Sequence, residues 1–215
     1  MAAGFGDDRR RPARRRRLRR FDPAVSVERS LDVGDIGEVW ASLVAATTGR
    51  TPFTLGYLGT VASGGEPRVR AVILRAVDER RGVVAFATDS RTAKVGELAE
   101  NQRAALTFYD PERDVQLRLD GRAEIVTDSA VRREVWEGLG AGSKRLYDKP
   151  EVPGTRLAEG DSDARGTGDE AAFERFAWVR VTVVTVDAVD LSGAEHIRCR
   201  HTRGVDSWAS DRLVP

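Results

Sequence analysis

The sequence predicts a mainly β fold with flanking helices, in which short antiparallel strands close into a barrel. Strand-like segments follow one another with only polar turns between them, which is typical of antiparallel sheets. Helix signals are few and separate groups of strands, so the chain does not read as repeated βαβ units. No Gly-x-Gly-x-x-Gly or Walker pattern occurs, which argues against Rossmann and P-loop folds.

Composition predicts one soluble globular domain. The chain has 215 residues, of which 40% are hydrophobic and 32% are charged. No apolar run is long enough to span a membrane, so we expect no membrane partner. The single cysteine, Cys199, excludes an intrachain disulfide and fits a reducing, cytoplasmic location.

The positive charge is concentrated near the start of the chain. Residues 9–20 contain nine Arg and no acid, and the remaining 26 basic and 34 acidic residues give a net charge of −8. We expect residues 1–31 to be a disordered Arg-rich leader, followed by a single domain over 32–215. Nucleic-acid contact and a targeting signal are the functional alternatives. A nucleic-acid partner is not favoured, because basic tracts occur for many reasons.

A helix is predicted from Asp32. Its apolar residues recur at helical spacing and form one stripe, made of Ile36, Val39, Trp40, Leu43 and Val44. Asp32 or Asp35 can cap its start, and Gly49 lies where it should end.

Three strands, a helix and two more strands are predicted next. Their bounds are 53–62, 68–77 and 83–88, then 90–101 for the helix, then 104–109 and 115–126. The first three strands are separated by polar turns at 63–67 and 78–82. Asp89 or Ser90 can cap the helix.

The second half begins with a helix that starts at Asp128 or Ser129 and a short helix over 143–147. Residues 150–172 are rich in Pro, Gly and acids, and we expect a mobile loop there. Residues 176–189 give the strongest strand signal in the chain. Residues 195–201 and 207–208 can form a final hairpin.

Four residues around the second and third strands could form an anion site. Arg70, Arg75, Thr88 and Lys94 come within reach of one another if these strands pair, and the following helix adds the N–H groups of its first turn. Arg70 and Arg75 are five positions apart, so a regular strand would place them on opposite faces. Either a bulge intervenes or only one of them reaches the ligand. Exposed charges without a ligand are the alternative.

Other kinds of site are not indicated. His196, Cys199 and His201 are close in sequence, but no second cluster completes a metal site, so no metal is predicted. No Gly-x-Ser-x-Gly elbow is present, and no residue is an obvious general base, so the catalytic residues are unknown.

Five sequence segments together resemble the pyridoxamine 5'-phosphate oxidase family. They are Arg-Ala-Val-Ile-Leu-Arg at 70–75, Phe-Ala-Thr at 86–88, the lysine six positions later, Ser-Gly-Ala-Glu-His at 192–196 and the Trp-x-x-x-Arg-Leu-Val-Pro ending at 208–215. Residues 143–154 look more like a divergent branch of that family.

The resemblance implies an FMN-binding split β-barrel and a homodimer with the flavin between subunits. By position, the implied FMN-binding residues are Arg70, Val72, Ile73, Leu74, Arg75, Ala87, Thr88, Lys94, Gln116 and His201. Three further residues are candidates for the side of a small-molecule substrate: His196, Arg198 and Arg200.

The chain departs from the family pattern where the oxidase contacts its vitamer. Ile197 and Cys199 stand where it presents Arg and His, and Leu191 replaces a tryptophan that flanks the flavin. We therefore expect an FMN-dependent oxidoreductase that oxidises pyridoxine or pyridoxamine 5'-phosphate poorly. The alternatives are a non-catalytic flavin-binding protein and a split barrel that uses F420 or haem.

Overall fold

A computed structural model describes residues 30–156 and 166–215. The strands are β1 (Leu55–Val61), β2 (Pro67–Asp78), β3 (Val83–Asp89), β4 (Arg103–Asp110), β5 (Val115–Ile125), β6 (Phe176–Asp190), β7 (Ile197–Arg203) and β8 (Trp208–Leu213). The helices are α1 (Ile36–Thr48), α2 (Ala93–Glu100), α3 (Ser129–Glu137), α4 (Ala141–Lys144) and α5 (Asp169–Arg175). Two 3-10 turns, Pro52–Thr54 and Arg145–Tyr147, precede β1 and follow α4.

Six strands form a closed antiparallel barrel. The order is β3-β2-β1-β4-β5-β6, and β3 also pairs with β6, which closes the ring. β7 and β8 continue the sheet beyond the second half of β6. The predicted mainly β, antiparallel barrel with flanking helices is confirmed.

Two hydrophobic clusters hold the fold together. The larger fills the barrel and extends under α1, which contributes Val39, Trp40 and Leu43. The smaller packs α3 and α5 against the outer side of β3 and β6, around Trp136 and Phe176. β6 is therefore covered on both faces from Phe176 to Val181, whereas Val184 is 45% exposed.

The start of the described region is more ordered than the sequence suggested. Leu31, assigned to the leader, is buried in the larger cluster, while residues 1–29 lie outside the described part. α1 begins at Ile36 rather than at Asp32. The Asp35 carboxylate caps it by accepting from Gly37 N at 2.8 Å, whereas Asp32 accepts from Gly34 N in the preceding turn.

Two predicted details were wrong. Neither Asp89 nor Ser90 caps α2, because the N-cap is Thr92 and both Asp89 oxygens bind the Arg91 guanidinium.

The loop predicted over 150–172 ends earlier, because α5 begins at Asp169 and buries Phe173. Asp148 accepts the N–H groups of Thr167 and Gly168 and so anchors the entry to α5. Residues 157–165 of that predicted loop lie outside the described residues.

The turn between β2 and β3 is as predicted. Gly82 adopts a left-handed φ of +59°, and its amide donates to the Glu79 carbonyl at 3.0 Å. Within the described residues, no helix is both long enough and apolar enough to cross a membrane.

Candidate functional site

The barrel is split between β2 and β3. Over Pro67–Ile73, β2 pairs with β1 on one side, but β3 joins its other side only from Leu74 onward. Residues 70–73 therefore present a strand edge that no described strand covers, with backbone groups available to a ligand. We call the space between this edge, the end of β3 and the start of α2 the notch.

A bulge at Arg75 produces the split. Leu74 pairs with Phe86 and Ala76 with Ala85, so Arg75 is the extra residue in the ladder. A bulge therefore does intervene, which is one of the alternatives raised by the five-residue spacing, but it does not bring the two arginine side chains together. The Arg75 side chain is exposed and donates to Ser143 Oγ at 3.3 Å, so the structure does not bring it to Arg70.

Arg70 lies on the barrel side of β2 at the floor of the notch. Its guanidinium donates to the hydroxyl of Thr60 on β1 and, at 2.7 Å, to Glu97 on α2. Thr60 also donates to Glu97, at 2.5 Å. Burial raises the pKa of the Glu97 carboxyl, but the bonds from Thr60 and Arg70 outweigh burial and hold that pKa below its usual range.

Lys94 completes the positive side of the notch. Its Nζ donates to Thr88 Oγ1 at 2.9 Å, so the structure brings together two residues that the sequence predicted. Burial, followed by the nearby Arg70 charge, lowers the pKa of Lys94. Because burial and a neighbouring positive charge both disfavour the ammonium, an anion bound beside it would stabilise it.

The first turn of α2 adds backbone donors. Within the described residues, the amides of Ala93 and Lys94 have no acceptor. The Thr92 hydroxyl donates to the Asp89 carbonyl at 2.7 Å, so it does not cap these amides. The helix N-terminus therefore faces the notch with unsatisfied N–H groups, as anion sites require.

Three residues of the notch were not predicted from the sequence. Glu97 and Thr60 hold Arg70, and Arg91 binds Asp89 through two bonds while donating to the carbonyls of Lys149 and Pro150. Only Glu97 had a usable signal: it lies three positions after Lys94, on the same side of a helix.

A cavity of about 770 Å³ borders the same strand. It is lined by the end of α1, the Pro52–Thr54 turn and Ile73, Leu74 and Arg75 of β2. Val72 faces the barrel core, and Ala87 packs against the smaller cluster. Gln116 lies on the outer face of β5, where its side chain makes no hydrogen bond to a described residue.

The candidates on β7 are divided between its two faces. His201 is 0% exposed: Nε2 donates to the Val33 carbonyl at 2.9 Å, and Nδ1 shares a hydrogen bond of 2.7 Å with Ser210 Oγ. The structure does not bring it to the notch, and its cofactor role stays a prediction. Cys199 is buried on the same face, beside Gly34.

The substrate-side candidates lie elsewhere. Arg198 and Arg200 point to the opposite face of β7 and bind Asp187, and His196 is exposed in the loop before the strand. No group of three or more His, Cys, Asp or Glu residues in the described ranges could hold a metal ion.

Comparison with known proteins agrees with this architecture. A sequence profile described as pyridoxamine 5'-phosphate oxidase matches residues 48–190. A pyridoxine/pyridoxamine 5'-phosphate oxidase of Pseudomonas paraeruginosa is 41% identical over 172 residues, which cover 74% of this chain and 76% of that protein. The oxidase of Burkholderia thailandensis is 37% identical over 111 residues, 48% of this chain, and the match spans only 50% of that protein.

Two solved structures share the fold. A pyridoxamine 5'-phosphate oxidase-related, FMN-binding protein of Nostoc punctiforme superposes with a TM-score of 0.67 at 22% identity, over 84% of this chain and 97% of that one. PhzG of Burkholderia lata, in complex with tetrahydrophenazine-1-carboxylic acid, gives 0.63 at 21% identity, over 83% and 90%. The predicted split barrel is thereby confirmed, and the chain belongs to the pyridoxamine 5'-phosphate oxidase family.

Proposed function

We propose that the chain binds FMN at the notch and is an FMN-dependent oxidoreductase of a small-molecule substrate. The observation that carries this proposal is the convergence of Arg70, Lys94 and Thr88 beside the uncapped first turn of α2. Family membership supports the same cofactor.

The chain's residues fit the phosphate of FMN. Two cations, one hydroxyl and two backbone amides lie around the notch. Guanidinium and ammonium groups are the usual ligands of phosphate. Glu97 opposes binding, because its carboxylate occupies part of the Arg70 guanidinium. The neighbouring cavity lies within the range of about 300–1,000 Å³ that small-molecule sites occupy.

FMN, when bound, supplies hydride transfer, while the protein supplies binding and orientation. The strand edge at 70–73 can donate to and accept from the polar rim of a ring system through its main chain. Arg70, Thr88 and Lys94 would fix the phosphate and thereby the position of the ring along β2.

The substrate is proposed to differ from that of the oxidase. Cys199 and His201 lie buried under residues 31–34, and Ile197 carries no charge, so these three positions of β7 present no exposed cation to a vitamer phosphate. The same observation favours a second candidate, a flavin-binding protein without turnover.

The absorption spectrum of the purified protein after incubation with FMN tests the cofactor. A flavin spectrum that persists through gel filtration is expected, whereas a Soret band, a deazaflavin spectrum or a colourless protein would contradict the proposal. The kcat/KM for pyridoxamine 5'-phosphate should stay below about 10⁴ M⁻¹s⁻¹. Reduction of the bound flavin by any substrate would separate enzyme from carrier.

We also propose a homodimer, which the family resemblance implies and an exposed apolar face supports. β6 contributes little to such an interface, because both of its faces are covered within the chain as far as Val181 and only Val184 among its large apolar residues is exposed. The outer face of β1, β2 and β4 is instead uncovered and apolar, with Leu55, Tyr57, Val69 and Tyr109 exposed by 41%, 51%, 71% and 44%. We call it the open face. A second copy is the simplest cover for such a patch.

A further inference from the structure

Three arginines surround one buried carboxylate on the outer face of β5, β6 and β7. The Asp187 side chain is 3% exposed, whereas those of Arg118, Arg198 and Arg200 are 41%, 28% and 42% exposed. Arg198 donates two bonds of 2.9 Å to Asp187, Arg200 donates one of 3.1 Å, and Arg118 donates one of 3.3 Å. Asp187 thus fixes three guanidiniums at the surface, and we call this set the arginine cluster.

The cluster has more N–H donors than its acids use. Each guanidinium has about five N–H groups, yet only four bonds in all reach Asp187. Asp120 lies 3.7 Å from Arg118 Nε and accepts from the Thr185 hydroxyl. Asp211 is the register partner of Arg200 but forms no ion pair with it. The surplus suits an oxyanion, because guanidinium N–H groups match carboxylate and phosphate oxygens.

The strand register places the cluster beside Gln116. Gln116 pairs with Val189, which pairs with Arg198, and the next row contains Arg118, Asp187 and Arg200. Directly paired residues share a face. Neighbouring strands are about 4.8 Å apart, so Gln116 and Arg198 are separated by roughly 10 Å. The resemblance assigns Gln116 to the flavin, so under the proposed function the cluster lies within the length of a small substrate from one flavin-binding residue.

We propose that the arginine cluster binds the carboxylate or phosphate group of the substrate. It takes over, on the opposite face of β7, the role that Ile197 and Cys199 cannot fill. That the bound anion belongs to a substrate rests on the proposed flavin-dependent function, whereas anion binding by the cluster does not.

Calorimetric titration of the full chain tests the cluster with three probes: phenyl phosphate, benzoate and the neutral benzyl alcohol. The wild-type protein should bind at least one of the two anions and not the alcohol. The anion that binds more tightly identifies whether the cluster prefers a phosphate or a carboxylate. Arg118→Gln and Arg200→Gln should each weaken that binding about three- to tenfold, an effect moderated by solvent exposure. Both variants leave the two-bond pair between Arg198 and Asp187 intact, so the fold should persist.

Two controls decide where the anion binds. Arg122→Gln lies on the same strand as Arg118 but donates to Gln102, and it should bind the anions as the wild type does. Saturation of the protein with FMN should likewise leave probe binding by the cluster unchanged, because FMN blocks the notch, which phenyl phosphate could otherwise occupy.

Several results would overturn the proposal. They are no anion binding by the wild type, equal losses in Arg122→Gln, or loss of probe binding when the notch is saturated with FMN. A weakened dimer with unchanged probe affinity in Arg118→Gln and Arg200→Gln would make the cluster a contact between copies instead. Titrations with and without FMN keep the two proposals separate: a protein that retains no flavin contradicts the proposed function, while the anion titration still judges the cluster.

Discussion

Lys94 is the residue at which a phosphate role for the notch can be tested most directly. Among the described residues its ammonium donates to Thr88 alone, so Lys94→Ala removes a cation without exposing a buried acid. The change should weaken FMN binding about ten- to hundredfold, the value of a charge-assisted bond of about 1.5–3 kcal/mol. Riboflavin has no phosphate and should bind both proteins alike in a fluorescence titration. Equal losses for the two flavins would exclude the phosphate role.

Glu97 is expected to limit FMN affinity. Its carboxylate accepts from Arg70 and Thr60 and carries a negative charge at the place proposed for the phosphate. Glu97→Gln keeps the shape and an acceptor oxygen but removes the charge, so FMN should bind several-fold more tightly at neutral pH. The advantage should disappear as pH falls through the low pKa of Glu97, since the wild-type carboxyl then also becomes neutral.

A pH series of FMN dissociation constants for wild type and variant measures this. Weaker FMN binding by Glu97→Gln at all pH values would show that the carboxylate serves to orient Arg70.

Residue spacing was enough to find Arg70, Thr88 and Lys94, because a hairpin and the helix after it bring such positions together. It could not find Thr60, whose contact with Arg70 depends on the register between β1 and β2. It also misjudged the surroundings of His201, because the segment that covers it lies 168 positions away in sequence.

At the level of elements, the junction of β5 and β6 depends on a glycine. A Cβ built on Gly121 would lie 2.3 Å from the Thr182 carbonyl oxygen, at a shift in the β5–β6 register. Gly121→Ala must therefore separate the two strands, and we expect a loss of about 1–3 kcal/mol in the free energy of unfolding by urea.

Gly96→Ala is the matched control, because a Cβ there meets nothing within 4 Å and lies inside α2. It should raise stability by about 0.5–1 kcal/mol. Similar midpoints for both variants would mean that β6 can move away at little cost.

Elements with strong periodicity were predicted well, and those defined by single contacts were not. Alternation along β5 and β6 marked their buried faces, and Gly49 marked the end of α1. The short α5 was hidden because its first residues share the acidic composition of the preceding loop. What makes it a helix is the burial of Phe173 against Trp136, at 6.0 Å between rings.

For the whole molecule, the open face predicts association. Tyr57→Glu would place a charge at its centre and should weaken the dimer about tenfold or more, as measured by light scattering over a dilution series. Val205→Glu is the control, because Val205 is equally apolar and 97% exposed but lies in the turn between β7 and β8. A wild type that is monomeric at micromolar concentration, or equal effects of both changes, would contradict the proposal.

The global topology was only partly accessible from the sequence. Short turns between consecutive strands predict the pairing of β1 with β2, of β4 with β5 and of β7 with β8. Closure through β3 and β6 joins residues almost a hundred positions apart, such as Val84 and Val181, and no local pattern specifies it.

Because Arg75 is the extra residue of a bulge, deleting it should affect the protein differently from replacing its side chain. Leu74 and Val77 face the barrel on either side of it, so deletion of Arg75 would leave every neighbouring side chain on its present face. The ladder could then run on and pair Val72 with Thr88, and the barrel would close where it is now split. We expect the shortened chain to fold with new slow-exchanging amides along 70–73 and to bind no flavin. Arg75→Ala, which keeps the extra backbone residue, should preserve both the fast amide exchange along 70–73 and most of the flavin affinity.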